Sequence, residues 1–168
     1  MFCVVDFDGT YFKNDFFLEI FFKTIIDRPL YLFKLCFLKN FKLIEIKIAL
    51  LSDLKINYDV SFLINTDIIN WIEDNKNKFT NIYLVSASPD FFIKSILKNQ
   101  QIFDDIYGSV EINLKGVEKL KFIQEKWGSN FTYIGDSKDD IPIFKMAKDA
   151  FKIINNKIIN VKSLYQTN

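Results

Sequence analysis

Asp6 and Asp8 are the residues of this chain best placed to do chemistry. They stand one residue apart at the end of the apolar run Phe2-Cys3-Val4-Val5, and Gly9-Thr10 follows them. The run predicts a strand covered on both faces, and the Gly-Thr pair turns the backbone. Open α/β sheets place their ligands at such strand ends. Two acids emerging there are costly unless a cation or a protonation step engages them.

Three further places carry groups suited to a phosphate or a metal. Ser86, Ala87 and Ser88 end a second apolar run, and Pro89 opens a helix after them. A serine hydroxyl and the free amides at a helix start can all donate to an anion; helix capping by Ser88 is the ordinary alternative. Next comes Lys115-Gly116-Val117-Glu118-Lys119-Leu120-Lys121. Lysines on helices are commonly solvated, and here Lys119 competes with Lys121, the spacing from Gly116 favouring Lys119. The fourth place is Tyr133-Ile134-Gly135-Asp136-Ser137-Lys138-Asp139-Asp140. Its three acids could be a solvated turn, or could complete a Mg²⁺ site of carboxylates, water and phosphate oxygens.

The elements that must position these groups read as alternating strands and helices. Strand-like runs are predicted at Phe2–Asp8, Asn81–Ser88, Ile106–Val110, Phe131–Asp136 and Phe151–Ile154, with helices at Pro89–Asn99 and Val117–Trp127. This alternation predicts a parallel sheet with crossover helices. The first connection is far longer than an ordinary crossover and is helical in pattern. Asn14 is placed to cap a helix in which Asp15, Glu19, Lys23 and Asp27 recur every fourth residue, and Pro29 ends or kinks it. Leu30–Asn40 and Phe41–Leu54 follow as two apolar helices. The expected division is a catalytic core over 1–12 and 79–168 with a helical cap inserted over 13–78. The apolar insert is read as a cap packed on the sheet domain. A face that meets lipid or a membrane protein, with Lys34, Lys39, Lys42 and Lys47 towards anionic headgroups, is the alternative.

Composition removes several function classes. The 168 residues fit one domain with an inserted subdomain. Twenty-two basic and twenty-one acidic residues leave a net charge of +1, with no basic run to attract nucleic acid. Histidine is absent, which excludes His-dependent triads, His-ligated zinc and His general bases. Cys3 and Cys36 sit among apolar neighbours and are expected to be buried free thiols. Phe79–Pro89 is the longest stretch without a charge, far short of the ~20 residues of a membrane span. With the first strand at residue 1 and no secretory signal before it, a cytoplasmic location is expected, peripheral at the inner membrane face in the alternative reading.

Taken in order, Asp-x-Asp-Gly-Thr, a strand-end Ser, a Lys and Gly-Asp-x-x-x-Asp are similar to the four motifs of the haloacid dehalogenase-like hydrolase superfamily. The likeness spans nearly the whole chain, up to about Asn155. It implies a three-layer α/β/α parallel sheet with a helical cap after the first strand, and a Mg²⁺-dependent phosphatase acting on a phosphomonoester. Asp6 would be the nucleophile that forms an aspartyl-phosphate. Asp8 would be the general acid and then the base. Asp136 would bind Mg²⁺ beside Asp6 and the backbone carbonyl of Asp8, and Asp140, with Asp139 as its competitor, would hold that shell. Ser86 and Lys119 would stabilise the transferring phosphoryl group, and Lys119 would pair with Asp6. Thr10, Ala87 and the backbone around Gly9 would orient the phosphate. The second acid at position 8 fits phosphatases and phosphomutases and speaks against dehalogenation.

A closer likeness concerns the members fused to, or encoded beside, membrane prenyltransferases of the ubiquinone-pathway type. Asn65-Thr66-Asp67-Ile68, Asn113-Leu114-Lys115-Gly116 and Tyr133-Ile134-Gly135-Asp136-Ser137 carry it. It implies a prenyl-linked or sugar phosphate substrate and peripheral contact with a membrane or a membrane prenyltransferase. The phosphoserine phosphatase-like branch is the competing placement. A receiver-like signalling domain and a non-catalytic partner of a membrane enzyme are the rivals from other classes; receivers lack an insert after the first strand.

Overall fold

The computed structural model describes residues 1–15, 18, 19, 26, 61–155 and 157–165. Most of the insert, with Cys36, Pro29 and the helices expected over Leu30–Asn40 and Phe41–Leu54, lies outside them. The described residues form strands β1 (Phe2–Val5), β2 (Asn81–Pro89), β3 (Asp105–Ser109), β4 (Phe131–Gly135), β5 (Asp149–Ile154) and β6 (Lys157–Asn160). The helices are α1 (Thr66–Asn75), α2 (Asp90–Ile96), α3 (Gly116–Trp127), α4 (Ile141–Met146) and α5 (Lys162–Tyr165). One sheet holds all six strands in the order β3-β2-β1-β4-β5-β6. Every pairing is parallel except β5 with β6, which is antiparallel.

The alternation of side chains along each strand sorts the core into two layers. Cys3, Val5, Ile82, Leu84 and Ile134 face α1 and α2, whose Ile68, Ile72, Phe92 and Ile93 cover them. Val4, Val85, Phe131, Tyr133 and Ala150 face α3 and α4 through Ile123, Ile143 and Phe144. Strands buried on both faces need continuous apolar sequence, which is why Phe2-Cys3-Val4-Val5 does not alternate. Cys3 is a buried free thiol, and burial pushes its pKa up.

Helix α1, counted with the insert in the sequence reading, packs its Ile68 and Ile72 stripe on β1 and β2. Asn65 caps it by accepting from the Asp67 amide at 3.2 Å, while its own Nδ2 donates to the Thr10 carbonyl. Phe12 pairs antiparallel with Ile64, and the amides of Lys13 and Asn65 donate to the carbonyls of Leu63 and Tyr11. The chain thus leaves and re-enters the sheet domain through a hydrogen-bonded neck.

Two capping expectations change. Asp15, not Asn14, caps the turn after the neck, its Oδ1 accepting from the Leu18 amide at 3.1 Å; the Asn14 side chain donates to Glu19 instead. Ser88 lies in β2, as the strand expected over Asn81–Ser88 has it, and does not cap α2, which begins after Pro89 without a side-chain cap. Residues 157–165 pack on the sheet domain. Asn155 turns the chain at φ +49°, a conformation asparagine tolerates, so β6 folds back on β5, Val161 is buried, and Tyr165 stacks on Phe144.

Candidate active site

The register fixes where the motifs meet. Val5 lies beside Leu84 of β2 and Ile134 of β4, so Asp6, the end of β2 and Asp136 emerge at one edge of the sheet. The chain runs outward from β1 through β2 to β3 and then returns to the other side of β1 as β4. This reversal of strand order is the switch point at which open sheets form a crevice. A cavity of about 220 Å³ lies there, its floor formed by Asp6, Asp8, Lys119, Asp136 and Asp140.

Asp6 and Lys119 form the centre. Helix α3 starts at this edge, and a helical side chain leans towards its helix N-terminus. Lys119, one turn before the buried Ile123, therefore reaches up to the strand ends. Its Nζ donates to Asp6 Oδ1 at 2.7 Å and to the Tyr133 hydroxyl at 3.2 Å, and lies 3.6 Å from Asp140 Oδ1. The Tyr133 hydroxyl donates in turn to Asp140 Oδ1 at 2.9 Å. Asp6, Lys119 and Asp140 are 6%, 3% and 2% exposed, so the whole network is out of water. Lys121 stands on the outer face of α3, paired with Glu118.

The carboxylates outnumber the cation that serves them. Oxygens of Asp6, Asp136 and Asp140 all lie within 4.8 Å of one another. Burial raises the Asp6 pKa, Lys119 pulls it down, and Asp140 and Asp8 push it back up; the net direction is upward. Asp136 is raised by burial and then by Asp140. For Lys119, burial favours the neutral form, but Asp6 and Asp140 outweigh it and the net shift is upward, which keeps the ammonium charged. This all-oxygen, charge-rich set suits a hard divalent cation such as Mg²⁺. Asp140 already receives Tyr133 on Oδ1 and the Ser137 amide on Oδ2 at 3.3 Å, a residue held for orientation. Gly9 is required for close approach: its φ is +73°, and a Cβ there would run into the Asp136 carboxylate.

The remaining expected residues divide. Ala87 lines the cavity. Ser86, expected to face the phosphoryl group, is fully buried and does not line the cavity; its Oγ accepts from the Ser88 amide at 2.9 Å. The Thr10 side chain is not brought to the cavity: it is buried, and its hydroxyl has no partner among the described residues. Asp139 lies at the exposed rim in an ion pair with Lys115 at 2.9 Å, which lowers its pKa. One polar residue of the network escaped the sequence reading. Tyr133 looks like one more apolar core position of β4.

No protein-family model matches the chain. The uncharacterized protein y4nM of Sinorhizobium fredii is 38% identical over 69 residues, which are 40% of this chain and 13% of that protein's length. Among solved structures, a phosphoserine phosphatase determined as a phospho-aspartyl intermediate analogue superposes with a TM-score of 0.51 at 19% identity. A phosphoserine phosphatase in its apo form gives 0.54 at 20%. Both alignments cover 89% of this chain and 84% of the other. A phosphoserine phosphohydrolase-like protein from Francisella tularensis gives 0.56 at 15%, over 92% of this chain and 87% of that one. The fold is that of the haloacid dehalogenase-like phosphatases. It differs from a purely parallel version of that sheet by the antiparallel edge strand β6. Among the described residues, no helix is long and apolar enough to cross a membrane.

Proposed function

We propose that the chain is a Mg²⁺-dependent phosphomonoesterase that works through an aspartyl-phosphate on Asp6. The observation that carries this reading is the buried 2.7 Å pair of Lys119 with Asp6, set within 4.8 Å of two further carboxylates at the sheet's switch point. An oxygen of Asp6 attacks phosphorus and the bond from phosphorus to the leaving oxygen breaks. The Asp8 carboxyl gives its proton to that oxygen, releasing an alcohol. The Asp8 carboxylate then takes a proton from water; the water oxygen attacks phosphorus, the bond to Asp6 breaks, and inorganic phosphate leaves. Lys119 faces the negative charge that builds on the phosphoryl oxygens, and the amide at Ala87 can donate to one of them. Asp6 and Asp136, with the Asp8 carbonyl, would hold Mg²⁺, oriented by Asp140. When bound, the ion neutralises phosphate charge and lines the phosphoryl group up with Asp6.

In this reading residues 1–12 and 79–168 form the catalytic core together with α1, which packs on the sheet, and of the insert expected over 13–78 the part beyond the neck would cover the cavity as a cap. Beyond the phosphate position, the described rim is polar: Asp15, Asn113, Lys115 and Asp139. Such a rim favours a substrate with charged or hydroxyl groups beside its phosphate. The phosphoserine phosphatase folds point the same way, while the sequence likeness to prenyltransferase-associated members favours a prenyl-linked phosphate. Turnover of phosphoserine, sugar phosphates and prenyl phosphates, with and without Mg²⁺, separates these classes. Asp6→Asn is expected to abolish turnover of an aryl phosphate while leaving the circular dichroism spectrum intact; undiminished turnover refutes the mechanism. Multiple rapid turnovers by the unaltered chain distinguish it from a receiver, which stops after one phosphorylation.

A further inference from the structure

Strand β2 does not end regularly. Val85 pairs with Tyr107 and Pro89 with Ser109, so Ser86, Ala87 and Ser88 stand opposite Gly108 alone. A bulge of this kind re-aims side chains at a strand end. It is pinned from β3. Gly108 donates its amide to Asp90 Oδ1 at 2.9 Å, and a Cβ on Gly108 would strike the Asp90 backbone and the Ser88 carbonyl. Only glycine lets the start of α2 sit this close to β3.

The bulge gives its two serines different duties. Ser86 Oγ accepts from the Ser88 amide at 2.9 Å, which fixes the Ser86 rotamer. Ser88, 1% exposed, sends its own hydroxyl across to the turn after β1 and donates to Asp8 Oδ2 at 2.8 Å. We infer that Ser88 is a positioning residue that holds the Asp8 carboxyl in place throughout proton transfer. The inference rests on the phosphatase reading, in which Asp8 is first acid and then base. An acid–base carboxyl must stay aimed while its charge changes. A serine donor to Oδ2 satisfies that need in both states: Oδ2 is an acceptor as part of the carboxylate, and it is still an acceptor as the carbonyl oxygen of the acid. The proton that moves is then carried on Oδ1. The serine is buried and its amide is tied to Ser86, so the hydroxyl cannot drift as a surface side chain would.

Ser88→Ala is a clean perturbation, because it keeps the amide that holds Ser86 and removes one hydroxyl. The expected result is selective. General acid–base catalysis is worth ~10²–10⁴-fold. Loosening the acid should lower kcat/KM for a simple alkyl phosphate about 10-fold or more. A dinitrophenyl phosphate, whose leaving group needs no proton, should lose less than about 3-fold, within the reach of small rearrangements. The parameter kcat/KM is the one to compare, since it covers the steps up to departure of the leaving group. Inhibition by inorganic phosphate should be unchanged, because Lys119 and the Ala87 amide remain at the cavity. Ser88→Cys, nearly isosteric and a poor donor, gives the same selective loss and serves if the alanine variant fails to fold. Equal losses on both esters, or no loss on the alkyl ester, overturn the inference. If the unaltered chain turns over neither ester, the phosphatase reading itself falls, and this inference with it.

Discussion

Replacing Lys119 with Met tests the electrostatic design of the cavity apart from any activity. Methionine keeps most of the aliphatic stem that packs in α3 and deletes the ammonium. Asp6 and Asp140, 6% and 2% exposed, then face each other and Asp136 without a counter-charge. Removing one partner of a buried pair costs about 3–5 kcal/mol. The chain can limit that cost by taking up a proton on Asp6, which Lys119 no longer opposes. The loss should therefore be largest at high pH and shrink by roughly 1 kcal/mol between pH 8 and pH 6. Urea unfolding in the presence of a chelator, followed by the fluorescence of Trp71 and Trp127, measures it directly. Millimolar Mg²⁺ should restore part of the lost stability, since the cation supplies the missing positive charge. A midpoint equal to that of the unaltered chain at pH 8, or a loss that grows on acidification, would refute the reasoning.

Two further outcomes follow from the same cluster. In chelator, Asp6 is pushed up to about 7 by burial, from about 3.8 when unfolded. Between these values the folded chain holds a proton that the unfolded chain has released, so stability should fall as pH rises from about 4 to 7. Thermal melts should show that decline and show Mg²⁺ stabilising more at pH 8 than at pH 6; a flat profile contradicts it. Gly9→Ala should cost about 1–2 kcal/mol for a left-handed backbone with a Cβ. It should also abolish Mg²⁺-dependent stabilisation by displacing Asp136, and a full Mg²⁺ shift in that variant would show the close approach to be unimportant.

The parts of the molecule legible in its sequence are those where one physical demand dominates. β1, β2 and β4 are buried on both faces, and a two-sided core leaves continuous apolar runs that no other element explains as well. The four sites were legible because each interrupts a core strand or opens a helix with groups that cost too much to bury idle. The remainder depended on partners far away in sequence. Lys157–Asn160 is a short edge strand whose pairing is set by the turn at Asn155. α4 is too short, with Pro142 in its first turn, to show a period. Tyr133 reads as core because its ring is core; only its hydroxyl, meeting Lys119 from another layer, enters the site. Ser88 reads as a strand-end hydroxyl for an anion or as a cap for the helix after Pro89, whereas its partner is Asp8, in the turn that follows β1 and 80 residues away in sequence.

The neck between Phe12–Lys13 and Leu63–Asn65 bears on the order in which the chain folds. β1 must find β2 in parallel, and their separation in sequence makes that search slow, because a long loop must close before any contact rewards it. Once Phe12 has paired with Ile64, the open connection between the two strands is reduced to α1 and its flanks, a crossover of ordinary length. Whatever lies beyond the neck then drops out of the search. Shortening the chain there should quicken the formation of the sheet while leaving its register untouched, and lesions in the neck should slow folding more than they speed unfolding.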